Sequence, residues 1–455
     1  MIRMHLSAAA HALHARHDGA DVEFTGVSTD TRTLTPGALF TALVGPHFDG
    51  HDFIEQAVAR GAAAALVSRA TRGKLPSLTV PDTRLALGRL AHTWRRRFDF
   101  PLVAITGSNG KTTVKEMTAA ILGRAGAVLV TQGNLNNDIG VPLTLFRLDA
   151  AQRYAVIEMG ANHLGEISYL TGLARPTVAL ITNAGPAHLE GFGSLDGVAR
   201  GKGEIYAGLD EHGVGVVNHD DAYASLWRKL IGARRCVSFG LTPGADVTAT
   251  WRATDTGSDV QLRTPRGSVD IALPLPGRHN VMNALAAAAA SLAAGATLEH
   301  VQQGLESMHG VAGRLQIKTG YRGARVIDDT YNANPASLAA AVQVLSGYAP
   351  HAWLVLGDMG ELGADGAALH EQAGAQARAA HIERLFSVGI LSAHAARAFG
   401  PAARHFATQD ELSAALRAAL DAAAPEKITL LIKGSRAARM ERVVAALTDH
   451  AVEEH

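Results

Sequence analysis

The pattern of apolar and polar positions divides the chain into units that differ in the spacing of their apolar runs. About the first hundred residues contain short β-like apolar runs at 21–27 and 38–44 and a helical stretch at 53–60. Pro101 then marks a boundary. These features predict a small first domain with both α and β structure, which we place at 1–99.

From residue 102 the pattern becomes a repeated alternation of apolar runs and helical stretches. A glycine-rich loop separates the first run from a helix predicted at 111–122. The runs that share this rhythm are 102–106, 154–157, 178–182 and 213–217. Strands that alternate with helices at this spacing are typical of a parallel α/β sheet. Residues 246–275 alternate instead as antiparallel strands do, and an alanine-rich helix after Asn280 closes a central domain at 100–312.

The last part of the chain begins a second series of strands and helices at about residue 314. Its strand candidates, which are separated by alanine-rich helical stretches, are 325–327, 352–356, 385–388 and 428–432. We place this third domain at 313–455. The chain is therefore predicted to be an α/β protein of three domains.

Composition narrows the classes of function. The 455 residues are 47% hydrophobic and 18% charged, and 42 basic residues balance 42 acidic ones. The absence of a basic excess disfavours nucleic acid as a partner. A single cysteine, Cys236, excludes an internal disulfide and fits a reducing, cytoplasmic setting. The most apolar stretch, 284–298, is too short to span a bilayer, and the first residues do not resemble a signal peptide, so we expect no membrane insertion.

Lysine is scarce in this chain. Arginine stays protonated in proteins, so a lysine that is retained among many arginines can mark a need for an amine that loses its proton. Codon bias and chance are the alternative explanation for any one of them. The eight lysines are Lys74, Lys111, Lys115, Lys202, Lys229, Lys318, Lys427 and Lys433.

The segment 106–113 has the composition and context of a phosphate-binding loop. Glycines allow a backbone to wrap around phosphate oxygens, and the N-terminus of the following helix presents free N–H groups. Lys111 can reach the β- and γ-phosphates, and the Thr112 hydroxyl can bind magnesium. Ile105 stands where the usual motif has its first glycine, so the loop is a shortened form; a ligand-free glycine-rich turn is the alternative. The predicted nucleotide contacts are Gly107, Ser108, Asn109, Gly110, Lys111, Thr112 and Thr113.

Two further side chains each follow a predicted strand. Glu158 ends one strand and His188 lies just past another, and ligands bind outside the carboxyl ends of parallel strands. Beside a triphosphate, both suit magnesium, although either residue alone is more often structural. Lys202 reads from its local composition as a solvated lysine. The amide-rich segment 134–140 caps a helix or binds sugar or phosphate oxygens, and its pattern does not separate the two.

Together these motifs resemble the Mur ligases over nearly the whole chain. An Asp-Asn-Pro-Arg motif, usual in the diaminopimelate-adding branch, is absent, and the segments 328–337 and 356–363 are similar to those of the dipeptide-adding branch. The resembling segments are 28–32, 48–53, 106–113, 133–142, 158–162, 183–193, 202–205, 277–280, 313–314, 328–337, 356–363 and 433–436.

The resemblance implies three substrate-binding domains and an ATP-dependent ligase. A small α/β domain would hold the uridine nucleotide through Ser28, Asp30 and Arg32. A central parallel-sheet domain would bind ATP, and a C-terminal Rossmann-like domain would bind the incoming dipeptide. The substrates implied are UDP-N-acetylmuramoyl-tripeptide and D-alanyl-D-alanine, in cytoplasmic peptidoglycan precursor synthesis. We expect a monomer.

The resemblance also implies roles for residues of the site. Lys111, Glu158, His188 and Lys202 would be catalytic, and Thr112, Glu158 and His188 would hold two Mg²⁺ ions. Lys202 matches a lysine that carbon dioxide converts to a carbamate, an anionic metal ligand. Further ATP contacts would be Asn280, Arg314 and Asp329. Further substrate contacts would be Asn136, Asn137, Asn332, Asn334, Lys433 and Arg436.

The implied reaction is amide formation through an acyl phosphate. Two alternatives stay open at this point. The chain is another amino acid ligase of the superfamily, tripeptide-forming or similar to folylpolyglutamate synthase, or it is a phosphate-loop ATPase without ligase activity.

Overall fold

The structure, a computed structural model, describes residues 1–70, 75–186, 189–308, 310, 312–348 and 351–448. The N-terminal part contains two small sheets. Its strands are β1 (Arg3–His5), β2 (Arg16–Asp18), β3 (Glu23–Thr25), β4 (Val27–Ser28), β5 (Leu39–Thr41), β6 (Ala64–Val67) and β7 (Ser77–Thr79). Its α-helices are α1 (Leu6–Leu13), α2 (Ile54–Ala59) and α3 (Thr83–Arg95).

Five of these strands form one sheet in the order β2-β7-β6-β5-β4, and β1 pairs separately with β3. Strands β4, β5, β6 and β7 run parallel to one another, while β2 runs antiparallel to β7. Helix α3 attaches this unit to the next one, because the buried Trp94 indole donates to the Leu148 carbonyl at 3.0 Å.

The central unit is built on a six-stranded parallel sheet. Its strands are β8 (Leu102–Thr106), β9 (Val128–Val130), β10 (Tyr154–Glu158), β11 (Val178–Ile181), β12 (Val214–Asn218) and β13 (Arg235–Phe239). They lie in the order β13-β12-β11-β8-β10-β9. Every residue of β8 is buried, as expected of a strand covered by helices on both faces. The order reverses direction beside β8, and the loops that leave β8, β10 and β11 meet there, at the position where such sheets bind ligands.

Helices cover both faces of this sheet, and a small antiparallel sheet follows it. The helices are α4 (Lys111–Gly123), α5 (Gly140–Leu145), α6 (Glu166–Ala174), α7 (Leu189–Phe192), α8 (Leu195–Gly203), α9 (Ala224–Ile231), α10 (Arg278–Ala293) and α11 (Leu298–Glu306). The antiparallel strands are β14 (Thr248–Ala253), β15 (Ser258–Thr264) and β16 (Gly267–Leu273). The alanine-rich α10 starts two residues before Asn280, and its buried alanines pack in one core cluster with residues of β8 and α4.

The C-terminal unit contains a second six-stranded sheet. Its strands are β17 (Gln316–Thr319), β18 (Arg325–Asp329), β19 (Ala352–Gly357), β20 (Arg384–Val388), β21 (Ala403–Phe406) and β22 (Thr429–Lys433). They lie in the order β17-β18-β22-β19-β20-β21, and only the edge pair β17–β18 is antiparallel. The helices are α12 (Pro335–Ser346), α13 (Gly366–Ala379), α14 (Ser392–Phe399), α15 (Gln409–Asp421) and α16 (Glu441–Thr448). Apolar clusters lie on both faces of the sheet.

Six short 3₁₀ helices complete the described structure, and they are Gly50–Phe53, Glu204–Gly208, Tyr321–Gly323, Gly363–Asp365, Pro425–Lys427 and Arg436–Ala438. Within the described ranges, no helix is both long and apolar enough to cross a membrane.

Candidate functional site

The phosphate-loop segment lies between the end of β8 and the start of α4. Two of its glycines have backbone conformations that other residues rarely adopt, with φ of 151° at Gly107 and 81° at Gly110. A Cβ at Gly107 would collide with the Thr182 side chain, and one at Gly110 would lie 2.5 Å from Asn283 Oδ1. The loop therefore requires glycine at both positions, for conformation and for space.

The segment after β11 holds this loop in place. The Ser108 amide donates to the Asn183 carbonyl at 3.0 Å, and the Asn109 amide donates to Asn183 Oδ1 at 3.0 Å. Thr182 Oγ1 donates to the Asn109 carbonyl at 2.6 Å. Asn183 is thus a supporting residue, for which the sequence predicted no role although it begins the resembling segment 183–193. Its signal was its place directly after the strand that neighbours β8.

Lys111 bends back over the loop. Its Nζ donates to the Gly107 carbonyl at 2.8 Å. Burial lowers the pKa of Lys111, the nearby charge of Arg314 lowers it further, and Glu158 acts in the opposite direction. An anionic ligand would raise the pKa of Lys111 again, because a negative charge beside the amine favours its protonated form.

Four side chains converge at the first turn of α4. Thr112 Oγ1 donates to Glu158 Oε2 at 3.0 Å, and Asn136 Nδ2 donates to Glu158 Oε1 at 2.9 Å. Arg314, from the C-terminal unit, donates to Thr112 Oγ1 at 3.1 Å. A hydroxyl and a carboxylate side by side are hard oxygen ligands, so this donor set fits Mg²⁺ shared with phosphate oxygens. His188, the remaining predicted metal ligand, lies outside the described residues.

Lys202 is buried in α8, with 1% of its surface exposed. The prediction of a solvated lysine from local composition is therefore wrong. Its Nζ lies 5.7 Å from the centre of the Phe192 ring. Burial lowers the pKa of Lys202 well below its usual value, and the charge of Lys111 lowers it further. A neutral amine in this place is the form that attacks carbon dioxide.

The start of α10 forms another wall of the site. Asn280 Nδ2 donates to the Pro276 carbonyl at 2.8 Å, and Asn283 Nδ2 donates to Asn280 Oδ1 at 3.2 Å. Burial, and secondarily the charge of Lys433, lower the pKa of His279 to about 4. Asn283, which was also missed, contacts the phosphate loop near Gly110 and lies one helical turn after Asn280.

The C-terminal unit contributes charged groups to the same place. The Arg314 guanidinium lies over the Tyr331 ring, 4.2 Å from its centre. Lys433 Nζ donates to Asp329 Oδ2 at 2.5 Å and to the Asn332 carbonyl at 2.9 Å. Burial raises the pKa of Asp329, and the Lys433 ammonium opposes that shift. This buried pair therefore fixes the end of β18 to the end of β22 at the edge that faces the phosphate loop.

Three amide or basic residues predicted to bind substrate have partners within the protein. Asn137 Oδ1 accepts the Gly140 amide at 2.8 Å at the start of α5. Asn334 caps α12 through the Ser337 amide at 2.8 Å and donates to Asn109 Oδ1 at 2.8 Å. Arg436 is exposed and forms an ion pair with Glu441 at 3.5 Å.

A cavity of about 1320 Å³ between the central and C-terminal units is lined by many of these groups. Of the predicted site residues in the described ranges, some lie outside its lining, and they are Ser28, Asp30, Arg32, Gly107, Asn137, Lys202 and Arg436. The predicted residues that line it are Ser108, Asn109, Gly110, Lys111, Thr112, Thr113, Asn136, Glu158, Asn280, Arg314, Asp329, Asn332, Asn334 and Lys433.

The predicted uridine contacts lie together in the first unit. Ser28 Oγ donates to the Asp30 carbonyl at 2.9 Å. The Arg32 guanidinium donates to both carboxylate oxygens of Asp30, at 2.6 Å from its NH2 and 3.0 Å from its Nε, which lowers the pKa of Asp30. The Arg32 side chain is 86% exposed, so it is accessible to a ligand.

Comparison with family models covers most of the chain. The model described as the Mur ligase middle domain matches residues 105–291. The Mur ligase glutamate ligase domain matches residues 313–436, and the Mur ligase family catalytic domain matches residues 23–95.

Similar proteins match over nearly the full length. The chain is 50% identical to the UDP-N-acetylmuramoyl-tripeptide–D-alanyl-D-alanine ligase of Escherichia coli over 99% of both chains. It is 43% identical to the ligase of the same name from Haemophilus influenzae, again over 99% of both. A crystal structure of MurF from Acinetobacter baumannii has a TM-score of 0.94 at 38% identity and covers 99% of this chain and 100% of its own. The structure of MurF from Thermotoga maritima in complex with ADP has a TM-score of 0.82 at 26% identity, over 93% of this chain and 96% of its own.

Proposed function

Since the chain belongs to the Mur ligase family, we propose that it joins D-alanyl-D-alanine to UDP-N-acetylmuramoyl-tripeptide in an ATP-dependent reaction. The products would be UDP-N-acetylmuramoyl-pentapeptide, ADP and phosphate. Full-length identity to ligases of that name supports this substrate pair over the tripeptide-forming and folylpolyglutamate alternatives.

One observation carries the proposal. The phosphate loop of the central unit and the Arg314, Asp329 and Lys433 side chains of the C-terminal unit line a single cavity. A protein that only hydrolyses ATP needs no second substrate there. A ligase must bring a nucleotide, a carboxylate and an amine together, and a site between two units suits that requirement.

In the proposed reaction the terminal carboxylate of the tripeptide attacks the γ-phosphorus of ATP. The bond from that phosphorus to the bridging oxygen breaks, which leaves an acyl phosphate and ADP. The free amine of D-alanyl-D-alanine then attacks the acyl carbon, loses a proton and expels phosphate. Phosphorylation is needed because oxide is a poor leaving group from a carboxylate.

The protein contributes charge neutralisation and positioning to these steps. Lys111 and Arg314 place positive charge at the phosphate loop, and the free N–H groups at the start of α4 add to it. The Lys433–Asp329 pair holds the edge of the C-terminal sheet against the same cavity. Exclusion of water by the two units would protect the acyl phosphate from hydrolysis.

We also propose the groups that the chain would hold. Thr112 and Glu158, with His188, would bind Mg²⁺, which supplies charge neutralisation at the triphosphate. Lys202 would take up carbon dioxide as a carbamate, because it is buried and its pKa is lowered. In this proposal residues 1–99 bind the uridine nucleotide, 100–312 bind ATP and 313–455 bind the dipeptide. The protein would act as a monomer in the cytoplasm, on small molecules.

An assay matrix tests the proposal. Phosphate release is measured with every combination of UDP-muramoyl peptide and amino acid or dipeptide acceptor. We expect release to require both UDP-N-acetylmuramoyl-tripeptide and D-alanyl-D-alanine. Equal release without either substrate would identify an ATPase, and turnover with a single amino acid would identify another branch of the superfamily.

A further inference from the structure

We propose that Lys115 and Thr131 are positioning residues that set the place and orientation of the Glu158 carboxylate. The inference rests on the proposed ATP-dependent function, in which Glu158 holds the metal at the triphosphate. Neither residue lines the cavity, so each would act through Glu158.

Lys115 is a buried cation whose partners lie next to the site. It follows Lys111 by one helical turn on α4, and 1% of its surface is exposed. Its Nζ donates to the Thr131 carbonyl at 2.8 Å and forms an ion pair with Glu116 Oε1 at 2.9 Å. A buried ammonium is costly unless it is paired and hydrogen-bonded, and these two contacts meet that requirement.

The Thr131 carbonyl lies one residue past the end of β9, where the hydrogen-bond ladder between β9 and β10 stops. Val130 lies opposite Val156, and the Thr131 amide donates to the Val156 carbonyl at 3.1 Å. In a continued parallel ladder the Thr131 carbonyl would next accept the Glu158 amide. Lys115 takes that carbonyl instead, and the Glu158 amide donates to the Thr131 hydroxyl at 3.0 Å. The ladder ends at this point, where the ammonium donates to the carbonyl and the hydroxyl replaces that carbonyl as the acceptor of the Glu158 amide.

The chain that leaves the ladder at this point then returns to the carboxylate. Asn136, five residues further on, donates to Glu158 Oε1 at 2.9 Å, and its carbonyl accepts the Gly160 amide at 2.9 Å. Glu158 is thus held by its amide and by one carboxylate oxygen. The other oxygen, Oε2, points to Thr112 at 3.0 Å. The segment 131–136 thus leaves Oε2 facing Thr112, the residue with which Glu158 would hold the metal.

This arrangement also explains a retained lysine. The contact is one buried donor to one carbonyl, which a compact ammonium satisfies. A planar guanidinium carries five N–H donors, and most of them would be buried without acceptors there.

Thr131→Val removes the hydroxyl and keeps the shape of the side chain, so it is the main test. Thr118→Val is its matched control, because Thr118 is also a buried threonine of this unit, and its hydroxyl donates only within α4, to the Val114 carbonyl at 2.7 Å. The readout is the affinity of the full-length protein for a non-hydrolysable ATP analogue, measured by calorimetry with and without Mg²⁺. Lys115→Met and Thr131→Ser complete the series.

Mg²⁺ should raise the affinity of the wild-type protein for the analogue. We expect Thr131→Val to reduce this Mg²⁺-dependent increase by about tenfold to a hundredfold, and to reduce kcat by a similar factor. Loss of an outer partner of a metal ligand has effects of this size. Analogue affinity without Mg²⁺ should stay unchanged, Thr131→Ser should retain the gain, and Lys115→Met should lose it. Retention of the full Mg²⁺ gain in Thr131→Val, or an equal loss in Thr118→Val, would overturn the inference. If the wild-type protein shows no Mg²⁺-dependent binding, the proposed function fails instead.

Discussion

Substitution of Gly110 by alanine tests the close packing of the phosphate loop against α10. The chain offers a matched control, since Gly110 and Gly165 are both N-cap residues of helices and have φ of 81° and 88°. An added Cβ at Gly165 would meet nothing within 4 Å. At Gly110 it would lie 2.5 Å from Asn283 Oδ1. The two substitutions therefore share the conformational cost and differ in the steric one.

The expected magnitudes follow from these two contributions. A left-handed conformation costs alanine about 1–2 kcal/mol at either position. At Gly110, Asn283 must also move and give up its 3.2 Å hydrogen bond to Asn280, with a loss of about 0.5–1.5 kcal/mol. Because both asparagines line the cavity, we expect nucleotide affinity to fall by about tenfold, which corresponds to about 1.4 kcal/mol.

The assay is calorimetric titration with ATP, together with urea unfolding of each variant. Gly165→Ala should lose about 1–2 kcal/mol of stability and keep the wild-type affinity. Gly110→Ala should lose more stability and also the affinity. Equal affinities for the two variants would refute the argument that the Gly110–Asn283 contact shapes the nucleotide site.

Three other substitutions have defined outcomes. Lys202→Ala should abolish turnover, with partial recovery in formate or acetate, and wild-type turnover in this variant would contradict the carbamate. His370 is buried and its Nε2 accepts the Met359 amide, and burial lowers its pKa. A lowered pKa in the folded state means that stability is fully present above the unfolded value of about 6.5 and falls as pH drops below it. His370→Gln keeps an acceptor and should flatten the dependence of melting temperature on pH between 7.5 and 5.5; a profile as steep as the wild type's would contradict this. Arg436→Ala should change the free energy of unfolding by less than about 0.5 kcal/mol, since the side chain is 58% exposed, while the KM for D-alanyl-D-alanine rises; an unchanged KM would remove Arg436 from the dipeptide site.

The phosphate loop was predictable because its chemistry is local. Seven consecutive residues and the elements on either side of them carry the signal, and the structure has β8 before the loop and α4 after it. Glu158 was predictable for a similar reason, since it ends an apolar run and parallel strands end at a common edge. Its contact with Thr112 follows from the adjacency of β8 and β10.

The environment of single polar residues was not predictable in the same way. Whether Lys202 is solvated or buried depends on what packs on α8, and nothing in its immediate sequence specifies that. Asn183 and Asn283 support the loop from other elements; Asn183 only begins the resembling segment 183–193, and Asn283 lies in none of the resembling segments. The motif around Asn334 predicts a substrate contact, whereas the structure shows that Asn334 caps helix α12. An asparagine before a helix is expected in either role, so the sequence does not separate them.

The interface between the first and central units differs from the interface between the central and C-terminal units. The difference bears on how the site closes. The first and central units share one apolar cluster, in which Trp94 of α3 packs with Leu145 and Phe146 of the central unit. Among the residues that the structure describes, the apolar clusters of the C-terminal unit contain only its own residues. Its hydrogen bonds to the central unit are polar contacts at the cavity, such as Arg314 to Thr112 and Asn334 to Asn109.

A polar interface between domains permits relative motion, whereas a shared apolar core resists it. The C-terminal unit is therefore the one expected to move, and the first and central units to behave as a single body. The C-terminal residues that contact the central unit across this interface touch the phosphate loop itself. A nucleotide bound at the loop would therefore contact both units. Closure of the C-terminal unit and completion of the charged site would then be the same event, which ties the exclusion of water to the presence of ATP.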